Sequence, residues 1–541
     1  MSQPHPIWLD PALRPSAENC VVSRLIERHA ALTPDEMFIR FENGEEWSWK
    51  RVRELARSTA AALQARGAKQ GDIIAAWAPN SPELVRTWFG ASYIGAALAP
   101  INTSFRGRLI DHALDKIGAR ILMAHPRLLE RLDEKSLAKV DHIISMAEEA
   151  PAVPPGVIAE GIAALDGDSS LLVESEVAPS GTSVIIFTSG TTGPSKAVVT
   201  SYVQQWMTAR SAYGYMTRDD RILVNLPMFH VGGISAITAA LASGGSVALF
   251  EAFDTRNFWT HVRETGSTTC SGFLGALVSF LSNEPARPTD ADNPLRMCTL
   301  SPLTEETVAL ARRFGFQYIS GFNMTEVSTP LVTDIDETVM RSCGRPRQGV
   351  ECRIVDDNDN ELPHGQVGEL ILRTENRLEM FKEYLGDPEA TEKAWRNGWF
   401  HTGDLLWRDE EGRFYFADRK KDAIRRRGEN ISSMEIEIDV AAHPAIQEVA
   451  AYGVDQPGGE QEVMVCVALK PGVSLAPREL IEFLIPRMAH FMIPRFVRIL
   501  DALPKTPTNK IRKADLRKEG VTADSWDRES EGLIIKREKL R

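Results

Sequence analysis

The sequence predicts an α/β protein with a large composite N-terminal domain and a small α+β domain at its C-terminal end. Three observations predict it. A chain of 541 residues is too long for one compact core. Between residues 52 and 250, amphipathic helix patterns alternate with short apolar runs, the texture of parallel strands buried on both faces. From Gly349 to Phe416 the texture changes to short strands and turns, and beyond a basic run near residue 420 a fresh set of helix and strand patterns begins.

In chain order, Val52, Leu55, Ala56, Thr59 and Leu63 share one helical face, and Gly67 is a stop signal. The apolar run Ile73–Trp77 follows, then a helix pattern from Pro82 to about Tyr93, then a run over Ala97–Ile101. Further strand-like runs are Ile121–Ala124, Val184–Phe187, Ile222–Leu226 and Val247–Phe250. After the basic run the chain offers a helix at Ser433–Ala442, strands at Val449–Val454 and Val463–Leu469, and a helix at about Pro477–Arg487. Residues 525–541 alternate acids and bases around Leu533, Ile534 and Ile535, and read as a charged tail or a helix docked on a partner.

A net charge of -12 argues against nucleic acid as the main partner, so anionic ligands must be met by local basic sites. The six cysteines show no CxxC spacing and no disulfide density, which fits a reducing cytosol and gives no ground for a structural metal. The N-terminus carries two prolines and an acid where a signal peptide needs apolar residues, and no run reaches the ~18 apolar residues of a membrane span. A cytoplasmic protein without a membrane span is expected.

After the run Val184–Phe187 comes a loop of hydroxyls and glycines, Thr188, Ser189, Gly190, Thr191, Thr192 and Gly193, closed by Pro194, Ser195 and Lys196. A strand leading into such a loop offers hydroxyls and unshielded N–H groups to a polyphosphate. A surface turn would look the same, and the spacing is not that of a Walker loop. Four later clusters run through Phe322-Asn-Met-Thr-Glu326, Trp399-Phe-His-Thr-Gly-Asp404, Gly412-Arg-Phe-Tyr-Phe416-Ala-Asp418-Arg419 and Arg427-Gly-Glu-Asn430, and a fifth spans Pro504 to Lys510.

The loop and these clusters, in this order, resemble the signature motifs of the adenylate-forming superfamily of acyl-CoA synthetases, aryl-CoA ligases, luciferase and peptide-synthetase adenylation domains. The likeness runs from about residue 25 to about 518, and the texture of FKEYLGDPEATEKAW is similar to the crotonobetaine/carnitine and medium-chain acyl-CoA ligase branch. It implies two α/β subdomains and a β-rich subdomain within residues 1–418, a hinge at 419–421, a mobile C-terminal domain at 422–524 and the tail from 525.

The resemblance also implies a chemistry: ATP activates a carboxylic acid to an acyl-adenylate, and the acyl group passes to the thiol of coenzyme A. Thr188, Ser189, Gly190, Thr191, Thr192, Gly193 and Lys196 would hold the phosphates, Glu326 would hold Mg²⁺, and Thr325 would touch the α-phosphate. Phe322, with Asn323 beside it, would stack on adenine, with a core phenylalanine as the competing reading. Asp404 would accept the ribose hydroxyls, assisted by Arg419, on the motif that includes Phe416.

Lys510 would be the adenylation lysine, preceded here by Asn509 where the family usually has Gly. Lys421 would be the hinge, and Gly428 would let pantetheine pass. Arg425, Arg426 and Arg427 either meet CoA phosphates or form a basic surface near the hinge.

His230, in Pro227-Met-Phe-His-Val-Gly-Gly233, would be a gate near the reacting carboxylate, or a core histidine. Gly232, Gly233, Gly275 and Gly321 would leave room in an apolar acyl pocket lined by Gly272–Leu277, for a bulky or extended hydrophobic acid. No Asp occurs in the His230 segment to pair with an amino acid's ammonium. Transfer to a carrier-protein thiol and a non-catalytic nucleotide-binding homologue are the alternatives, and a homodimer is an assembly the resemblance allows.

Overall fold

Helix boundaries follow local chemistry. Ser48 accepts the Arg51 N–H at the head of the helix Trp49–Ala65, and Ser81 accepts the Leu84 N–H at the head of Pro82–Tyr93, where Pro82 needs no partner for its nitrogen. Val52, Leu55, Ala56, Thr59 and Leu63 are all buried. Gly67 ends this helix region with a φ of +85°, a conformation glycine adopts without a Cβ clash.

The computed structural model describes residues 14–188, 195–274, 278, 281–282, 284–419, 423–426, 429–456, 461–504, 511 and 513–535. The described residues form two compact units. One takes its residues from 1–103, 114–187 and 197–418, the other from 104–113, 188–196 and 419–541.

The first unit contains two largely parallel sheets. The larger has the spatial order Glu383–Tyr384, Lys196–Ser201, Thr182–Thr188, Ala97–Pro100, Ile73–Trp77, Ile121–Ala124, His142–Ser145, Ile158–Glu160. From Thr182–Thr188 to Ile158–Glu160 every printed register is parallel. The smaller runs Thr269–Cys270, Arg221–Val224, Ser246–Leu249, Met37–Phe41, Glu46–Ser48, parallel except at its last pair. The apolar runs at Ile73–Trp77, Ala97–Ile101, Ile121–Ala124, Val184–Phe187, Ile222–Leu226 and Val247–Phe250 fall on or overlap strands of these sheets, while the other strands had no such run to announce them.

The β-rich stretch is an antiparallel ladder of Val350–Val355, Gly368–Thr374 and Trp399–Arg408, with Phe414–Arg419 paired to the last. All six cysteines are free thiols. Among the described residues, no helix is long and apolar enough to cross a membrane.

In the second unit, Ile446–Asp455 pairs antiparallel with Gln461–Leu469, which pairs in parallel with Phe496–Leu500. Helices Ser433–Ala441, Pro477–Leu484 and Lys513–Glu519 accompany this sheet. Trp526–Asp527 adds an antiparallel edge strand against Phe496 and Val497. Arg528, 1% exposed, donates to the Pro494 and Leu533 carbonyls. The first part of the expected tail is therefore folded, because Trp526 and Arg528 find partners in the sheet edge.

Arg426 is likewise 2% exposed, donates to the Phe491 and Ile493 carbonyls, and has its Nε 2.7 Å from Glu462 Oε2. It is an internal ion pair and not a surface arginine facing a phosphate. Arg425 beside it is exposed, and Arg427 lies outside the described residues.

Within the second unit, Ser195 and Arg108 are held by the helix Ser433–Ala441. Glu435 Oε1 accepts the Ser195 hydroxyl at 2.8 Å, and Asp439 Oδ1 accepts Arg108 at 2.8 Å. Burial pushes the Glu435 carboxyl from an ordinary 4.5 up to about 7, against the opposing pull of its Ser195 hydrogen bonds and of Arg108. The folded unit then keeps a proton that the unfolded chain loses near pH 4.5, so this contribution is complete below that pH and is lost as pH rises through 7. Urea unfolding of wild type and Glu435→Gln across pH 4.5 to 8 should show wild type losing on the order of 3 kcal/mol relative to the variant. Parallel curves would contradict this.

Candidate active site

The phosphate-loop candidate begins where expected: Thr188 is the last residue of the strand Thr182–Thr188, and Lys196 is the first of Lys196–Ser201. Ser189, Gly190, Thr191, Thr192 and Gly193 lie outside the described residues. Ser201 then caps the helix Tyr202–Tyr213, accepting the Gln204 N–H at 3.0 Å and donating to the Leu378 carbonyl at 2.8 Å.

The Phe322–Glu326 motif is held from three sides. Gln204 Nε2 donates to the Thr325 carbonyl at 2.9 Å. The Phe381 N–H donates to the Glu326 carbonyl at 2.9 Å. The Tyr384 hydroxyl donates to Glu326 Oε1 at 2.8 Å. Glu326 is 6% exposed, and a buried carboxylate needs a donor such as the Tyr384 hydroxyl. Burial and the adjoining Glu326 push the Tyr384 phenol far up, so it remains a donor across the physiological range.

Asn323 Oδ1 accepts the Thr329 N–H at 2.9 Å, which secures the turn after the motif, where Thr329 has a φ of +46°. Phe322 is 8% exposed in an apolar cluster with Val198, Val327, Leu331 and Phe400. Its ring packs within this cluster.

Asp404 owes its position to an irregular ladder. Ile371 faces His401 while Glu369 faces Leu405, so the strand bulges between the two pairs. Within the bulge, Thr402 Oγ1 accepts the Asp404 N–H at 3.1 Å and donates to the Leu370 carbonyl at 2.7 Å. Gly403 there has a φ of +71° and donates to Glu369. Asp404 is 4% exposed. Phe416 is half-exposed on the neighbouring strand Phe414–Arg419, which Arg419 ends.

His230 caps the helix Val231–Ser243, half-buried, with its ring 4.8 Å from that of Phe229. The segment before it is clamped by Asn80, which donates to the Leu226 and Phe250 carbonyls and accepts the Met228 N–H. Two glycines expected to leave room do something else. A Cβ on Gly233 would lie 2.4 Å from the Pro227 oxygen, and one on Gly321 would lie 2.5 Å from the Leu331 oxygen. Both allow close backbone packing and do not open a pocket. Gly232 would meet Leu226 Cδ1 at 2.8 Å, and Gly275 lies outside the described residues.

Phe322, Asn323, Thr325 and Glu326 thus share one turn, and Phe322, Tyr384, Phe400, Leu406 and Phe414 share one apolar cluster with the strands that bear Asp404 and Phe416. Thr188, Lys196 and Arg419 belong to the second unit. Lys421, Gly428 and Lys510 lie outside the described residues.

Comparison with known families decides what this arrangement is. Residues 26–385 match the model of the AMP-binding enzyme, and residues 435–510 match that of the AMP-binding enzyme C-terminal domain. The chain belongs to the AMP-binding enzyme family.

Among its relatives is the crotonobetaine/carnitine–CoA ligase of Salmonella typhi, 30% identical over 503 residues, which cover 90% of this chain and 97% of the ligase. Two solved structures share the fold. The amide bond synthetase of Marinactinospora thermotolerans has a TM-score of 0.79 at 24% identity, covering 92% of this chain and 99% of that one. The o-succinylbenzoate CoA synthetase of Bacillus subtilis has a TM-score of 0.76 at 22% identity, covering 92% and 98%.

Sequence reasoning did not single out Tyr384, Gln204 or Asn80 in this AMP-binding enzyme, since each acts through a partner far along the chain. Tyr384 stood in the segment FKEYLGDPEATEKAW, which carried family likeness without a role. Tyr384→Phe removes only the hydroxyl that holds a buried charge. It should cost about 1.5–3 kcal/mol in denaturant unfolding, whereas unchanged stability would mean that Glu326 does not depend on this donor.

Proposed function

We propose that this AMP-binding enzyme is an ATP-dependent carboxylic acid:CoA ligase. The observation that carries the reading is the match to a CoA ligase across 97% of that ligase's length, through both the AMP-binding region and the C-terminal region. In the first half-reaction a carboxylate oxygen attacks the α-phosphate of ATP, forming acyl-AMP and releasing pyrophosphate. In the second, the thiol of coenzyme A attacks the acyl carbon and AMP leaves.

Two anions must be brought together in the first step, so the site positions and neutralises and supplies no nucleophile of its own. Thr188, the loop 189–193 and Lys196 hold the phosphates, Thr325 contacts the α-phosphate, and Asp404 with Arg419 binds the ribose. The fixed, buried Glu326 carboxylate suits Mg²⁺, which takes one or two carboxylates and completes its shell with water and substrate phosphates. Bound there, Mg²⁺ would neutralise phosphate charge.

Lys510 bridges the carboxylate and the α-phosphate, and leaves as the C-terminal domain turns about Lys421 so that the thiol approaches past Gly428. His230 stands beside the reacting carboxylate. The acid is extended or bulky and largely hydrophobic, and the enzyme is cytoplasmic.

Separate assays of the two half-reactions test this. Lys510→Ala should abolish acid-dependent ATP–pyrophosphate exchange while thioester formation from a supplied acyl-adenylate continues. Equal loss of both steps would contradict the division of labour between two conformations.

A further inference from the structure

At the bulge that carries Asp404, two successive peptide N–H groups are met by side chains. Thr402 Oγ1 accepts that of Asp404 at 3.1 Å, and Glu369 Oε1 accepts that of Gly403 at 3.1 Å. The threonine is in its ordinary role, since one hydroxyl accepts an N–H and donates to the Leu370 carbonyl. The glutamate is not. It is 5% exposed, and a carboxylate taken out of water is a costly means of satisfying a single N–H.

Its second oxygen is held as well. His401 Nδ1 lies 3.4 Å from Oε2, and Arg396 Nη2 lies 3.7 Å from it. An ionised carboxylate only accepts, so the His401 ring carries a proton on Nδ1. His401 Nε2 stands 3.9 Å from Asp359 Oδ2 and has no hydrogen-bond partner among the described residues. Asp359 is fixed in turn by Arg396 at 3.0 Å and by the Asn397 amide at 2.6 Å.

Strand register brings these groups together. Glu369 pairs with Leu405 and Ile371 with His401, so Thr402, Gly403 and Asp404 oppose Leu370 alone. Glu369 Oε1 thereby holds the peptide between Thr402 and Gly403, immediately ahead of Asp404. Gly403, at a φ of +71°, has no side chain by which its neighbours could hold it.

We propose that Glu369, braced by His401 and Arg396, is a positioning residue for nucleotide recognition, setting the direction in which Asp404 presents its carboxylate to the ribose. The inference rests on the reading of Asp404 as the ribose acceptor and deepens it. Glu369 itself touches no part of the nucleotide. An acceptor displaced by about 1 Å loses its hydroxyl partners, and misplacement of that size costs on the order of 100-fold where a site works by orientation.

The test compares ATP with 2′-deoxy-ATP and 3′-deoxy-ATP by acid-dependent pyrophosphate exchange, each result read as the ratio of kcat/KM for ATP to that for the analogue. The ratio is the same whatever fraction of a variant folds, so lost stability does not enter it. Wild type should favour ATP over at least one analogue by at least about tenfold, and Asp404→Ala should bring that ratio to about one. Glu369→Leu, and independently Glu369→Met, should lower it at least about fivefold from wild type while KM for the acid stays unchanged. Glu369→Gln keeps an oxygen for the Gly403 N–H and should retain most of the preference.

A wild-type ratio in the Leu and Met variants, even with activity lowered on all three nucleotides, would make Glu369 a purely structural residue and overturn the inference. A ratio in Glu369→Gln as low as theirs would overturn it too, because acceptance of the Gly403 N–H would then not be what matters. A preference for ATP that survives Asp404→Ala, or is absent from wild type, would remove the ribose reading and this inference with it. An Asp404 effect without a Glu369 effect removes the inference alone.

Discussion

A carboxylate taken out of water must be given donors, and the way Glu326 is given them organises the N-terminal unit around its site. The Tyr384 hydroxyl meets Oε1, while the Phe381 N–H and Gln204 Nε2 hold the backbone carbonyls of Glu326 and Thr325. These partners come from the helix that follows the phosphate loop and from the segment that ends in an edge strand of the large sheet. One turn thereby links the sheet that bears the loop to the cluster beneath the Asp404 bulge. The carboxylate is offered in one orientation, as a site that stabilises by position requires.

Much of the scaffold was legible because it is periodic. The runs Ile73–Trp77 and Ile121–Ala124 became strands with those bounds, and the helix pattern from Pro82 to Tyr93 became that helix. What escaped was set by contacts distant in sequence. Trp526 and Arg528 looked like part of a charged tail until a sheet edge received them. Arg426 looked like one of three surface arginines until Glu462 and two carbonyls enclosed it.

The same division runs through the candidate site. Motif residue types announced a nucleotide site, and their order carried the family, but not the local device that fixes each one. Asp404 depends on a register slip opposite Leu370, and a slip of this kind has no signature in one strand alone. Gly233 and Gly321 read as space in sequence and proved to be points of backbone contact. Glu369 and Gly403, 34 positions apart, became a pair only through antiparallel strand pairing.

Following oxygen atoms through the reaction tests the central claim most directly. An acid carrying ¹⁸O in both carboxylate positions is incubated with ATP, Mg²⁺ and coenzyme A, and the products are weighed by mass spectrometry. Attack of the carboxylate on the α-phosphate predicts AMP bearing one ¹⁸O and an acyl-CoA retaining the other. Label appearing in inorganic phosphate, with ADP as the nucleotide product, would contradict adenylation and the reading of the site built on it.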